Sequence, residues 1–160
     1  MADRREAFER LWRAEYAQVL RTAYLITGDR EEASDVAQEA FARAYERWRT
    51  VAALDRPGAW VQRVAANLAI SWRRRERVRR RTPQPAIEAF SQDLPEPELM
   101  RALRALPPAQ RAAVVLRYYT DQSIEETARA LGKRPGTIRA LTSQGVQRLR
   151  ELLSTEEARP

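Results

Sequence analysis

The sequence contains no cysteine and no histidine. Without cysteine the chain has no disulfide, no thiol nucleophile and no cysteine ligand for a metal. The absence of histidine removes the commonest general base and the commonest metal ligand of proteins. Together these absences argue against an enzyme, although a carboxylate-only enzyme stays open. We therefore predict no catalysis, no cofactor and no metal site.

Glycine is also scarce, with 5 among 160 residues, and runs of β-branched residues are few. Apolar residues instead recur at helical spacing almost throughout, which predicts an all-α fold. No apolar run has the length of a membrane span, and the first ten residues lack the apolar core of a signal peptide. We therefore expect a soluble cytoplasmic protein without membrane insertion.

Lysine is nearly missing as well: Lys133 is the only one, so arginine carries most of the positive charge behind the net charge of +7. Codon bias in a GC-rich genome explains a preference for arginine, but it does not explain clustering. Seven arginines lie between positions 73 and 81. Their mutual repulsion is relieved when they neutralise phosphates, and the pI near 10.6 makes polyanions the expected partners.

Prolines and acidic residues divide the chain into two small helical domains. Four prolines between positions 82 and 97 break helices, and the charges there are acidic. We predict three helices before this segment, with a loop at 49–56 between the second and the third, and four helices after it. The predicted division is a first domain 1–81, a flexible linker 82–97, a second domain 98–153, and a frayed tail 154–160.

Helical spacing also predicts which faces are buried. In the second helix the predicted buried face consists of Ala33, Val36, Ala37, Ala40, Phe41, Ala44 and Trp48. In the third it consists of Trp60 or Val61, with Val64, Leu68 and Trp72. The helix that ends near Tyr119 is expected to use Tyr118 as an apolar residue.

The strongest local pattern lies between Ser123 and Leu152. Ser123 and Glu126 have the spacing of a capping box, Gly132 marks a turn, and Pro135 opens a final helix. This is the sequence form of a helix-turn-helix. The final helix carries side chains of the types that bind base edges and phosphates, namely Arg134, Thr137, Arg139, Ser143, Gln144 and Arg148. A plain helical hairpin with a solvated basic face remains the alternative.

Two further patterns lie in the first domain. One face of the third helix carries Arg63, Asn67, Ser71 and Arg74, which suits contact with a nucleic acid but also fits a solvated surface. The arginines that follow, among them Arg73, Arg75 and Arg77, favour phosphate contacts. The second helix carries Asp35, Gln38 and Glu39, either as a protein-docking edge or as acidity that complements the helix dipole.

Three runs of the sequence carry a resemblance to a known family. The run "YLITGDREEASDVAQEAFARAYERW" resembles region two of the extracytoplasmic-function (ECF) sigma factors, and "PGAWVQRVAANLAISWRRR" resembles its continuation. The run "LRALPPAQRAAVVLRYYTDQSIEETARALGKRPGTIRAL" resembles region four. The details look most like the small actinobacterial SigE-type subgroup. The runs occur in the family's order and cover nearly the whole chain.

The resemblance implies partners for each domain. The first domain would bind the β′ clamp helices of core RNA polymerase, through Asp35, Gln38 and Glu39. It would also recognise and melt the minus-ten element of promoter DNA through Arg63, Asn67, Ser71 and Arg74, with the loop 49–56 capturing a flipped base. The second domain would contact the β flap and read the minus-thirty-five element. The linker would thread through the polymerase cleft, and an anti-sigma factor is a further candidate partner.

The reading helix departs from the family pattern at Ala140, Leu141, Gln144 and Gly145. Two or three polar donors are missing, which predicts weaker or altered recognition of the minus-thirty-five element. The main alternative function is a stand-alone helix-turn-helix regulator, which usually dimerises; the sequence shows no dimerisation helix or heptad seam. A second alternative is an RNA-binding or scaffold protein that binds through its arginines without sequence preference.

Overall fold

The computed structural model describes residues 2–75 and 97–157, together with their side chains except those of 72–75 and 156. The described residues form helices and short connections, without a strand. The chain divides into two compact units, Met1–Phe90 and Ser91–Pro160. An all-α fold is what the sequence predicts.

In the first unit, three long helices pack pairwise against one another, and a short helix contacts two of them. Their bounds are α1 Ala2–Thr27, α2 Arg30–Glu46, α3 Trp48–Ala52 and α4 Pro57–Arg75.

Gly28 and Asp29 form the turn between α1 and α2. Gly28 has a φ of 72°, a conformation that glycine adopts without strain, and its N–H donates to the Tyr24 carbonyl at 2.7 Å. The Asp29 carboxylate then accepts hydrogen bonds from the N–H groups of Glu31 and Glu32, at 2.9 and 3.0 Å. These bonds satisfy two of the free donors at the start of α2.

The prediction of a buried face on α2 is confirmed for every residue named from Ala33 to Ala44; Trp48 is buried too but belongs to α3. On α4 the prediction is only partly right. Val61, Ala65 and Ala69 are fully buried, whereas Trp60, Val64 and Leu68 are half-buried. The side chain of Trp72, also predicted to be buried, lies outside the described residues. Ala65 and Ala69 lie one turn apart on the buried face. Their small side chains let α4 approach its neighbours closely, so alanines rather than the larger residues lie at the contact.

The expected loop 49–56 is wrong in its first half, because Trp48–Ala52 forms the helix α3. Trp48 and Val51 lie three residues apart and are both buried, with exposed fractions of 8% and 0%. Burial of these two side chains stabilises a helical turn there. The irregular connection is therefore 53–56, and all four of its residues are exposed.

The second unit is built around one long helix. Its elements are α5 Pro97–Ala105, α6 Pro108–Val114, a π-helical segment Val115–Tyr119, α7 Ile124–Leu131 and α8 Pro135–Glu157. Helix α8 packs against α5, α6 and α7. It continues to Glu157, so the fraying expected from residue 154 is not observed within the described residues.

The helix-turn-helix forms with its predicted end signals. Ser123 and Glu126 make the reciprocal capping box, with bonds of 3.0 and 3.2 Å. Gly132 ends α7 with a φ of 63°, and the Lys133 N–H donates to the Ala128 carbonyl at 3.0 Å. Ile138 of α8 is fully buried, which fixes the second helix of the motif in the core.

Tyr118, expected as an apolar buried residue, is 67% exposed. In an uninterrupted α-helix it would lie one turn after Val114 and on the same face. The π-helical turn adds a residue to the turn, and the Thr120 N–H donates to the Val115 carbonyl five residues earlier. The extra residue rotates Tyr118 out of the core. Within the described part of the chain, no helix combines the length and apolarity needed to cross a membrane.

Candidate nucleic-acid and protein-docking surfaces

The acidic-polar residues of α2 lie on one side of the first unit. Gln38 and Glu39 are exposed and Asp35 is half-buried, and their spacing of three and four residues places them on one helix face. Two contacts within α2 order this face: Gln38 Nε2 donates to Ser34 Oγ at 3.3 Å, and Arg43 Nε donates to Glu39 Oε1 at 3.0 Å. The face has the charge and the exposure of a docking edge for a protein.

A cluster of aromatic rings continues this docking edge onto α1. The Phe8 ring contacts the rings of Phe41, Tyr45 and Trp48 edge-on, with centroids 5.0–6.3 Å apart. Tyr45 is 43% exposed, and the Arg4 guanidinium lies 4.8 Å from the centre of its ring. The sequence did not indicate the contacts of Tyr45 with α1, because those residues are about 40 positions apart.

On α4 the predicted DNA-facing residues differ in exposure. Ser71 is exposed, whereas Arg63 and Asn67 are half-buried. Arg63 Nε is buried and has no hydrogen-bond partner among the described residues. The backbone of α4 continues through Arg75, which places Arg74 on the same helix, while the side chains of Arg73, Arg74 and Arg75 and the whole of Arg77 lie outside the described residues.

The predicted reading residues of the second unit are all exposed, namely Arg134, Thr137, Arg139, Ser143, Gln144 and Arg148. They do not form a single narrow stripe. Arg139 and Ser143 line a cleft on one flank of α8, whereas Gln144 lies near α6, where its Oε1 is 3.5 Å from Gln110 Nε2. Leu141 is half-buried and Ala140 is exposed. These two positions of α8 therefore offer no side-chain donor to a base edge.

The cleft beside α8 is a feature that the sequence did not indicate. It has a volume of about 440 Å³ and lies between the π-helical segment, the start of α7 and α8. Besides Arg139 and Ser143, its lining includes Arg117, Tyr118, Thr142 and Arg150. The one sequence signal for this cleft was the run of polar residues at i, i+3 and i+4 along α8. That run cannot be told from a solvated helix face without the position of the π-helical segment beside it.

Within residues 2–75 and 97–157, no three acidic side chains converge in a way that would hold a metal ion. The surfaces described above are suited to macromolecular contacts: an acidic-polar edge on the first unit, and a basic face on α8 of the second.

Comparisons with known proteins match both units to one family. Residues 11–79 match the family model described as Sigma-70 region 2, and residues 97–149 match Sigma-70, region 4. The chain is 34% identical over 155 residues to the RNA polymerase sigma-E factor of Streptomyces antibioticus, covering 94% of this chain and 86% of that protein. It is 32% identical to the ECF RNA polymerase sigma factor SigE of Mycolicibacterium smegmatis, covering 92% of this chain and 62% of that protein.

Among solved structures, the sigma factor RpoE in complex with the anti-sigma factor NepR from Bartonella quintana is similar in fold. The TM-score is 0.72 at 23% sequence identity, covering 93% of this chain and 98% of that chain. Both regions occur in the order that the sequence predicts. The chain belongs to the ECF group of the sigma-70 family of RNA polymerase sigma factors.

Proposed function

We propose that this sigma factor binds core RNA polymerase through its first unit, recognises promoter DNA through both units, and promotes strand opening at the start of transcription. One observation carries the proposal: a single chain holds a region 2 unit with an acidic docking edge and a region 4 helix-turn-helix. The chemistry of RNA synthesis would belong to the polymerase.

The docking edge of α2 supports the first step. Asp35, Gln38 and Glu39 share a face, and the carboxylates of Asp35 and Glu39, the latter paired with Arg43, are a local acidic feature in a chain with a net charge of +7. A basic or mixed surface of core polymerase, the β′ clamp helices in the family's terms, would fit this edge. The charge difference between this edge and the rest of the chain would orient the sigma factor, with its arginines left for DNA.

The face of α4 supports the second step. The half-buried Asn67 and Arg63 and the exposed Ser71 lie at intervals of four residues, and the exposed connection 53–56 precedes the same helix. Extrusion of a base costs a few kcal/mol of unstacking, and contacts made only with the extruded base would offset that cost. We assign minus-ten recognition and opening to this face, with phosphate contacts by Arg73, Arg74, Arg75 and Arg77.

The second unit would hold the minus-thirty-five element at the exposed residues of α8, and the β flap would be its contact with polymerase. An anti-sigma factor would compete for one of these surfaces. We propose 1–81 and 98–153 as the working bounds of the two domains, with 82–97 as their linker.

A stand-alone helix-turn-helix regulator is the rival function, and an initiation assay separates the two. Purified chain is added to core polymerase on a library of genomic DNA, and transcript start sites are mapped. A sigma factor yields defined starts that are absent with core polymerase alone, whereas a regulator yields none. The double variant Asp35→Ala, Gln38→Ala should lose co-purification with core polymerase while its thermal unfolding stays cooperative. Undiminished co-purification would refute the assignment of the docking edge.

A further inference from the structure

The start of α4 is covered by a carboxylate from another helix. Gly58, the second residue of α4, is buried, although the connection 53–56 before it is exposed. A Cβ built on Gly58 would lie 2.5 Å from the Glu15 carboxyl carbon and 2.6 and 2.9 Å from its two oxygens. The Glu15 carboxylate therefore occupies the space in which any other residue at this position would carry its Cβ.

Helix α4 has no acidic or capping side chain of its own at this end. Its first turn contains no acidic residue, and the side chain of Arg56, which precedes it, has no acceptor. Pro57 lacks an N–H group. The N–H groups of Ala59 and Trp60 both donate to the Arg56 carbonyl, at 3.1 and 3.4 Å. The Gly58 N–H is left as the remaining donor of this turn, at the helix end where the dipole favours a negative charge.

Glu15 of α1 supplies that negative charge from outside the helix. Its side chain is half-buried, so solvent screens its charge less than that of a fully exposed carboxylate. Helices α1 and α4 pack against each other, and the Glu15 contact lies where the first turn of α4 meets α1. The contact therefore holds the beginning of α4 against α1 by charge as well as by packing.

The exposed connection before α4 is held at two points. On one side Val51 of α3 is fully buried, and on the other side Gly58 is buried beneath Glu15. The residues between these points, from 52 to 56, are all exposed. A short exposed segment takes its position from the rigid elements at its ends. The Glu15 contact therefore sets one of the two ends of the connection 53–56.

We propose that Glu15 is a positioning residue for strand opening: its carboxylate on Gly58 fixes the connection 53–56 in the arrangement that captures an extruded base. The inference rests on the proposed role of this connection at the minus-ten element. A connection that is already held in place loses less conformational entropy when the base binds. Glu15 acts through Gly58 and does not itself touch DNA. Closed-complex binding, which depends mainly on phosphate contacts, is therefore independent of it.

Two single variants remove the contact in different ways. Glu15→Gln keeps the size of the side chain and removes its charge. Gly58→Ala displaces the carboxylate, because the atoms that the new Cβ meets are the far end of a flexible side chain. Each variant of the full chain is assembled with core polymerase on a promoter found by start-site mapping. Fluorescence of aminopurine in the minus-ten element measures base extrusion, and a gel shift at low temperature measures closed binding.

Each single variant should lower the equilibrium constant for base extrusion about two- to fivefold, the size expected for one charge at a helix N-terminus. Closed binding should be unchanged. The double variant should lose no more than either single variant, because both remove the same contact. Glu6→Gln is the matched control: it removes an exposed carboxylate from the opposite face of α1, nine positions earlier. It should change neither measurement.

Normal extrusion in Glu15→Gln would overturn the inference, as would additive losses in the double variant or an equal loss in Glu6→Gln. An equal fall in extrusion and closed binding would make the contact merely structural, which overturns the inference too. Thermal unfolding of each variant shows that the assays are run on folded protein. If the wild type itself does not initiate with core polymerase, the proposed function fails and the inference fails with it. Failure of the variants alone, with an active wild type, concerns only Glu15.

Discussion

At Gly145, α8 lies so close to α6 that a side chain has no room. A Cβ built on Gly145 would lie 2.6 Å from Val114 Cγ2 and 3.4 Å from the Gln110 carbonyl oxygen. The sequence indicated this glycine only as a departure from the family pattern. The structure explains it as the contact that sets the distance between the two helices.

We therefore expect Gly145→Ala to destabilise the protein by about 1–3 kcal/mol through overpacking. Gly136→Ala is a matched control in the same helix, because nothing lies within 4 Å of its added Cβ. It should be neutral or stabilising by up to about 1 kcal/mol through helix propensity. Urea denaturation measures the free energy of unfolding of both variants. Equal effects of the two substitutions would contradict the close contact between α8 and α6 at Gly145.

The proposed role of Asn67 in strand opening predicts which step of initiation is impaired when its side chain is removed. Asn67→Ala should reduce the formation of open complexes about tenfold or more, on the basis of 1–3 kcal/mol for a lost base contact. Closed-complex affinity should change less than about twofold, because phosphate contacts dominate that step. Permanganate reactivity of promoter thymines measures opening, and a gel shift at low temperature measures closed binding.

The control for Asn67 is Gln18→Ala, which removes an exposed amide from α1 of the same unit, outside the proposed surfaces. It should leave both steps unchanged. An equal loss of opening and closed binding in Asn67→Ala would make Asn67 a structural or purely electrostatic residue.

At the scale of elements, helix ends with a chemical signal were predictable and helix interiors were less so. Asp29 and Ser123 begin helices, and Gly28 and Gly132 end them, because each signal depends on groups within three or four residues. Helix α3 and the π-helical turn were missed. The first depends on burial of Trp48 and Val51 by distant helices, and the second on a hydrogen-bond register that residue types do not specify.

The capping box of α7 should contribute measurably to the helix-turn-helix. Ser123→Ala removes the acceptor for the Glu126 N–H, and we expect a loss of about 1 kcal/mol in the free energy of unfolding. Ser123→Asp keeps an acceptor and should retain most of that stability. Urea denaturation compares the two variants with the wild type, and a full loss in Ser123→Asp would mean that the cap is not the cause.

At the scale of the whole molecule, the proposed function requires both units to act on one promoter within one polymerase complex. Inserting five base pairs between the two promoter elements rotates them by about half a turn of the duplex. Initiation should then fall by at least about tenfold, whereas binding of the free chain to either element alone should be unchanged. Run-off transcription on matched templates measures the effect. Unimpaired initiation would show that one unit alone reads the promoter.

The sequence by itself determined the helical class, the caps, the helix-turn-helix and the membership of the family, because these depend on local spacing and on colinear motifs. It also placed Asp35, Gln38 and Glu39 on one helix face, since their spacing suffices for that.

Only the tertiary structure decided which apolar residues of α4 are buried and that Tyr118 is exposed. It alone also shows that Arg117, Thr142 and Arg150 line one cleft. The fully buried Arg111, which donates to the Arg104 carbonyl at 3.3 Å, is a further case, because an arginine is expected at the surface. Each of these depends on groups that approach across different helices. Local propensity and periodicity determine which side chains share one face of a helix. They do not determine which other helix packs against that face.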